Sequence, residues 1–379
     1  MKACIIGWYG TETLGDRAIL DGILLTLEQL GATQVRLGSL FPILTERTLF
    51  EDGAIYRSSF QKDSILMFDS RQKNELNEAV SKSDVVIMGG GPLMDLNELY
   101  IISYAFRKAK QLKKKTIIWG CGIGPLREER YQKQVKEIFS ASDIIILRDE
   151  LSKIFGQKYS LYPSGIKIHV LPDPAVISVL NFRENKNAGC GGEDYIAVNF
   201  RRFTCEYGQI KSSPDDYFKR IISSAAQTFS NVFLVPMHTF FIGGDDREYY
   251  TELLGDIHQR KMIQYKPLNL YELYELYSNA RACIGMRYHS VVLQTLLNGN
   301  NFILDYTEKQ SGKTSGFLSM FGLESAYAER YLNLQNAQTL TEPEKIAEIL
   351  SYGKKTAFSA AKKQSIIDDY LKLLKEEIK

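Results

Sequence analysis

A chain of 379 residues, 44% hydrophobic and 24% charged, has the composition of a globular protein and is too long for one ordinary domain, so two domains are the first expectation. A formal net charge of +2 argues against a surface built to coat nucleic acid. The cysteines Cys4, Cys121, Cys190, Cys205 and Cys283 form no Cys-x-x-Cys pair, which reads as reduced, buried thiols and excludes a structural zinc site of that type.

The chain opens on a strand-like run, Ala3-Cys4-Ile5-Ile6. No basic leader precedes a long apolar stretch and no apolar run is long enough to span a bilayer, so a cytoplasmic location is expected. From there, short apolar strands alternate with helical spacing, the pattern of parallel α/β layers. In the first half, strands are predicted at 2–6, 34–39, 84–88, 116–119 and 144–147, and helices near 16–30, 71–82, 98–113 and 130–140. The runs Asp84–Met88 and Thr116–Trp119 are apolar without alternation, which fits burial on both faces. The polar stretch 181–193, with Gly189-Cys190-Gly191-Gly192, reads as an interdomain linker. The alternation restarts with strands at 195–199, 231–235, 262–265, 282–284 and 302–304. Helices are predicted near 214–228, 246–254, 269–279, 288–298 and 314–321. The expected architecture is α/β: two Rossmann-like domains facing a cleft, over 1–180 and 194–340, followed by a helical tail over 341–379.

Ligands of open parallel sheets bind at the carboxyl ends of the strands. The first strand ends in Gly7-Trp8-Tyr9-Gly10 and runs on to Gly15-Asp16, with Asp16 placed to cap the next helix. The spacing is not Gly-x-Gly-x-x-Gly, so a dinucleotide fingerprint is absent. The strand over 84–88 ends in Gly89-Gly90-Gly91-Pro92, with Asp95 following. Three consecutive glycines are entropically costly, and a backbone surface against a ligand is the favoured reading. Gly120-Cys121-Gly122-Ile123-Gly124-Pro125 forms a second glycine-rich lip, and Leu147-Arg148-Asp149 ends the next strand. In the second half, the strand ends carry Asn199-Phe200-Arg201-Arg202, Pro236-Met237-His238 and Gly285-Met286-Arg287-Tyr288-His289-Ser290. The last of these reads as strand, glycine turn and helix, which aims backbone N–H groups and the positive helix end at one place. Two arginines and two histidines at corresponding strand ends suit an anionic ligand. Asp245 and Asp246 read together as a helix cap, and His169 and His258 as structural residues.

These segments together resemble the polysaccharide pyruvyl transferase family. The likeness runs in order from Gly7–Gly10 and Gly15-Asp16 through Asp84–Gly91, Gly120–Pro125, Arg148-Asp149 with Ser152, and Asp173-Pro174. It continues through Pro236–His238 and Gly285–His289 to Gly316-Phe317-Leu318, spanning about residues 1–325. The chain departs from the family pattern at Pro92, where a small polar residue often follows the glycines. The resemblance implies a GT-B-like fold and transfer of the pyruvyl group of phosphoenolpyruvate to a sugar, giving a pyruvate ketal in capsule, exopolysaccharide or cell-wall glycan. On that activity, His289 and Arg201 are expected to be catalytic. Gly285, Arg287, Ser290, His238 and Arg148 are expected to bind the donor, and Asp16, Gly90, Gly91, Asp95 and Gly122 the acceptor. No metal and no cofactor beyond the phosphoenolpyruvate co-substrate is expected. A lipid-linked acceptor would bring the chain to the inner membrane face, where the lysines of the tail (among them Lys355, Lys372 and Lys375) would help, but their acidic neighbours Asp368, Asp369, Glu376 and Glu377 favour a plain solvated helix; a homo-oligomer is compatible with the sequence. The alternatives are a GT-B glycosyltransferase using a nucleotide sugar and a non-catalytic sugar- or phosphate-binding protein.

Overall fold

The computed structural model describes residues 1–11, 13–53, 64–184, 193–202, 214–240, 244–255, 262–307, 312–335, 340–353, 355–356 and 360–378. In chain order the elements are β1 (Lys2–Ile6), α1 (Leu14–Gln29), β2 (Gln34–Ser39), α2 (Pro42–Glu51), β3 (Ile65–Asp69), α3 (Lys73–Ser81), β4 (Val85–Gly89) and β5 (Pro92–Leu93). They continue with α4 (Leu99–Gln111), β6 (Lys115–Ile123), α5 (Glu129–Ser140), β7 (Ile144–Leu147), α6 (Glu150–Lys158), β8 (Ile168–Val170) and α7 (Ala175–Glu184). Then follow β9 (Glu193–Val198), α8 (Asp215–Thr228), β10 (Asn231–Leu234), α9 (Asp246–Leu254), α10 (Leu270–Asn279), β11 (Ala280–Gly285) and α11 (Tyr288–Leu297). The last are β12 (Asn301–Asp305), α12 (Lys313–Phe321), β13 (Tyr331–Asn333), α13 (Pro343–Ser351) and α14 (Ala360–Ile378).

Two compact units result, the first from Met1–Glu12, Asp16–Ser178 and Ser359–Lys379, the second from Thr13–Gly15 and Val179–Phe358. In the first unit the sheet runs β3–β2–β1–β4–β6–β7–β8 with every neighbour parallel, and β5 pairs with β6. Its central strands are sealed because both faces are covered. One face packs Leu76 and Val80 of α3, Ile102 and Phe106 of α4 and Val135 and Phe139 of α5 against Ile6, Met88 and Ile118. Helix α1 is buried from Leu14 to Leu27. Gly22 permits that approach, because a Cβ there would lie 1.9 Å from the carbonyl oxygen of Pro174.

The second sheet runs β10–β9–β11–β12–β13, again all parallel. Phe200 and Phe218 stack with ring centroids 4.4 Å apart at its core. Ile222 of α8 and Ile346 and Leu350 of α13 pack in the same cluster with Ile284 and Phe302. Helix α10 is fixed at its start by a reciprocal capping box between Asn269 and Glu272.

Several expectations change here. The sequence reading passed over β3, β5, β8 and β13 and the helices α2 and α7. The strand predicted at 262–265 is an isolated parallel bridge between Leu234 and Ile263. The expected tail over 341–379 is not one element. Helix α13 completes the core of the second unit, whereas α14 belongs to the first, where Tyr370 stacks on Trp119 at 6.1 Å and donates its hydroxyl to the carbonyl of Pro172. His258, Cys190, Cys205 and the centre of the expected linker, 185–192, lie outside the described residues.

Candidate active site

The parallel order of the second sheet places the carboxyl ends of β10, β9, β11 and β12 side by side. Asn199 follows β9 and is fully buried. Its side-chain amide donates to the carbonyl of Val235 at 2.9 Å, and its Oδ1 accepts from the backbone N–H of Arg287 at 3.0 Å. One amide thus joins three neighbouring strand ends. Arg201, two residues on, lies with its guanidinium 4.9 Å from the ring centroid of Tyr306, after β12, and donates to the Tyr306 hydroxyl at 3.2 Å.

Arg287 precedes the first turn of α11. Its Nε and Nη2 both donate to the carboxylate of Asp246, at 2.5 to 3.0 Å. The same carboxylate accepts from the backbone N–H groups of Met237 at 3.0 Å and His238 at 3.2 Å. Asp245 alone caps α9, accepting from the N–H of Arg247 at 2.8 Å. The expected double cap is therefore divided: Asp246 is 1% exposed and serves the strand ends instead.

His289 sits half-buried in the first turn of α11, edge-on to Tyr288 at 4.9 Å. It lies against Gly15, so closely that a Cβ on Gly15 would come within 2.1 Å of His289 Nδ1. The same short segment meets the other histidine. Thr13 forms an antiparallel bridge with His238, and the N–H of Leu14 donates to the carbonyl of Met237 at 3.1 Å. Thus Arg201, His238, Arg287 and His289 are brought together on one sheet end, with Asp246, Asn199, Tyr306 and Gly15 supporting them. Sequence reasoning missed these four. Only the paired acids Asp245-Asp246 carried a usable signal, since one helix start needs one cap.

Other expected site residues have structural duties. Ser290 is fully buried, its hydroxyl bonded to Tyr277 Oη at 3.2 Å and to Gln294 Nε2 at 3.0 Å, so it points into the core. Gly285 is a packing glycine, because a Cβ there would sit 2.6 Å from Gln294 Oε1. Arg148 belongs to the first unit, not to this sheet end. Its side chain is 1% exposed, with Nη1 on Asp173 at 3.2 Å and Nε 3.7 Å from Asp149. Gly122 lies under that guanidinium, and a Cβ there would reach Nε at 2.7 Å.

The glycine run after β4 also differs from the expected ligand-facing surface. Gly90 and Gly91 have φ of +84° and +72°, where a side chain is strained. A Cβ on Gly90 would meet Ile19 at 2.8 Å, and one on Gly91 would meet Trp8 at 2.0 Å. Tertiary packing against the first βα turn explains them. Asp16 is not the cap of α1, which begins at Leu14; it lies in the first turn, where an acid favours the positive helix end. Asp95 ties two loops together, accepting from the N–H of Arg127 at 2.9 Å and donating its own to the carbonyl of Pro125 at 3.0 Å.

Burial pushes the thiols of Cys4 and Cys121 up to about 12, and Cys283 is raised by the same cause. Among the described residues no helix is long and apolar enough to cross a membrane.

Three solved structures share this fold across nearly the whole chain. A Listeria monocytogenes protein provisionally assigned as a UDP-N-acetylglucosamine 2-epimerase has a TM-score of 0.53 at 14% identity, covering 92% of this chain and 90% of its own. The Methanocaldococcus jannaschii UDP-GlcNAc 2-epimerase, solved with UDP-GlcNAc and UDP, has a TM-score of 0.51 at 15% identity, covering 98% and 100%. The S. aureus MnaA–UDP structure has a TM-score of 0.51 at 13% identity, covering 92% and 94%. At such identities the likeness is one of fold, two Rossmann-like domains of GT-B type. No curated protein matches the sequence. The family model described as polysaccharide pyruvyl transferase matches residues 14–308, from the start of α1 to just beyond β12. That span takes in every residue of the strand-end cluster, and the chain belongs to the polysaccharide pyruvyl transferase family.

Proposed function

We propose that the protein transfers the pyruvyl group of phosphoenolpyruvate to two hydroxyls of a sugar, forming a pyruvate ketal and releasing inorganic phosphate. The observation that carries this reading is the arginine–histidine cluster on the second sheet, lying within the family match. Phosphoenolpyruvate presents a carboxylate and a phosphate on one small frame, and planar guanidinium forks recognise both. Arg287 has its Nε and Nη2 committed to Asp246, and no described residue accepts from its Nη1. Its Nη1–Nη2 edge is the donor-binding edge in this reading, with Arg201 supplying further charge and His238 further hydrogen bonding.

The chemistry balances without a redox partner. His289 as imidazolium delivers a proton to the methylene carbon. The first sugar hydroxyl bonds to the central carbon and gives its proton to the imidazole, restoring the imidazolium. The second hydroxyl then displaces phosphate from that carbon and closes the ring, its proton leaving with the phosphate. General acid–base catalysis of this kind contributes about 10²–10⁴-fold. The acceptor is a sugar of a capsule, exopolysaccharide or cell-wall glycan, and the reaction runs in the cytoplasm without a metal ion.

The test pairs thermal shift with phosphate release. Phosphoenolpyruvate is expected to raise the melting temperature of the wild type, whereas UDP and UDP-sugars leave it unchanged. Release of phosphate in the presence of acceptor is expected to be lost in His289→Ala. A rise with nucleotides alone would refute pyruvyl transfer and favour a nucleotide-sugar glycosyltransferase.

A further inference from the structure

The geometry points to Asp246 as a positioning residue of the donor site, one that fixes the guanidinium of Arg287 and the chain at His238 in a single arrangement. This rests on the pyruvyl-transfer reading and deepens it. Asp246 is 1% exposed, so it does not reach substrate, and it acts through its partners. Its Oδ2 accepts from three donors, Met237 N, His238 N and Arg287 Nε, at 2.9 to 3.2 Å. Its Oδ1 accepts from Arg287 Nε at 3.0 Å and Nη2 at 2.5 Å. The N–H of Asp246 in turn donates to the carbonyl of His238 at 2.9 Å.

One carboxylate therefore spans the sheet from the end of β10 to the end of β11, across β9. Each strand end carries a residue of the proposed donor site. The Arg287 side chain is 17% exposed, so its far edge stays accessible while its near edge is held. A buried ion pair is weak evidence for stability, because desolvation offsets its attraction. What it supplies is orientation: a long, flexible arginine is locked in one rotamer with its second fork edge presented. A donor-binding arginine left unheld has to be ordered by the ligand itself, which weakens binding.

The experiment measures the Michaelis constant for phosphoenolpyruvate and kcat in four proteins: wild type, Asp246→Asn, Arg287→Gln and the double variant. Asp246→Asn keeps the side-chain shape and an oxygen for the two backbone donors but removes the charge facing Arg287. It is expected to raise the donor Michaelis constant by at least about tenfold, with kcat changing far less. In the Arg287→Gln background the same substitution is expected to change it less than about twofold, since the two residues act as one unit. The double variant holds no unpaired buried charge, so it covers the case in which Asp246→Asn alone folds poorly. Asp245→Asn, which still caps α9, is expected to match the wild type. An Asp246→Asn protein with a wild-type Michaelis constant, or an equal effect in both backgrounds, overturns the inference alone. A wild type that neither binds nor turns over phosphoenolpyruvate overturns the transfer reading and this inference with it.

Discussion

Replacing Gly15 with alanine puts a methyl carbon where the imidazole of His289 now sits. The added Cβ would lie 2.1 Å from Nδ1, 2.3 Å from Cγ and 2.7 Å from Cβ of His289. Ordinary contacts between such atoms fall at about 3.5–4.0 Å, so something must retreat by roughly 1.5 Å. The start of α1 resists, because the N–H of Leu14 is bonded to the carbonyl of Met237 and Thr13 is bridged to His238. The ring is the softer element. A displacement of about 1 Å at a catalytic group costs on the order of 100-fold in rate, so kcat for phosphate release is expected to fall by about that factor. The fold is expected to survive, since alanine is the better helix former by up to about 1 kcal/mol. The assay is initial-rate release of phosphate at saturating phosphoenolpyruvate and acceptor, with the melting temperature measured on the same preparations. A Gly15→Ala protein with wild-type kcat and an unchanged melting temperature would refute the role given to His289. A collapse of the melting temperature would instead refute the claim that the ring yields before the helix.

Two further substitutions act on stability. Asp21 is fully buried in α1, and burial pushes its carboxyl from 3.8 up to about 7, with Asp52 adding to the rise and Ser178 opposing it. The native state holds this proton more tightly than the unfolded chain, so its contribution is complete below about pH 4 and is lost as pH rises to about 7, roughly 4 kcal/mol in all. Asp21→Asn is expected to flatten the dependence of the urea midpoint on pH over that window, and parallel profiles for variant and wild type would count against the buried carboxyl. Gly91→Ala places a side chain at φ +72° and 2.0 Å from Trp8, itself tied to the carbonyl of Pro92 at 3.3 Å. It is expected to cost at least about 2 kcal/mol in chemical denaturation, from left-handed strain plus overpacking. A loss under about 0.5 kcal/mol would mean that the first βα turn is looser than its contacts show.

The central strands were legible because burial on both faces leaves continuous apolar runs, as in Val85–Met88 and Thr116–Trp119. Three of the four edge strands, β3, β8 and β13, were not, whereas β10 was. In β3, Ile65 and Met67 are only half-buried and Leu66 is 41% exposed, so the run Ile65–Phe68 lacked the length and context of a core strand. The strand-end cations of the second unit were legible from local order alone: strand, glycine, arginine, histidine, helix. Their supports were not, because Asp246 lies 41 residues from Arg287 in the chain and Gly15 meets His289 from near the opposite end of the sequence. Gly89–Gly91 misled for the same reason. Three glycines do mark a close approach, but whether a ligand or Ile23, Ile19 and Trp8 makes it depends on contacts that no local pattern encodes.

Arg148 and Arg287 show how burial separates two arginines that look alike in sequence. Each follows a buried parallel strand and is met by an acid distant in the chain, Asp173 for Arg148 and Asp246 for Arg287. The Arg148 side chain is 1% exposed, sits over Gly122 and approaches a second carboxylate, Asp149. Such a guanidinium is enclosed by protein on all sides and works as a tie between loops. Among the described residues the Arg287 side chain meets one carboxylate, on one edge, and it is 17% exposed. A cation that is to bind an anionic substrate must be oriented without being enclosed. Of the two, only Arg287 meets both conditions, which favours the sheet end of the second unit over Arg148 for the proposed donor site.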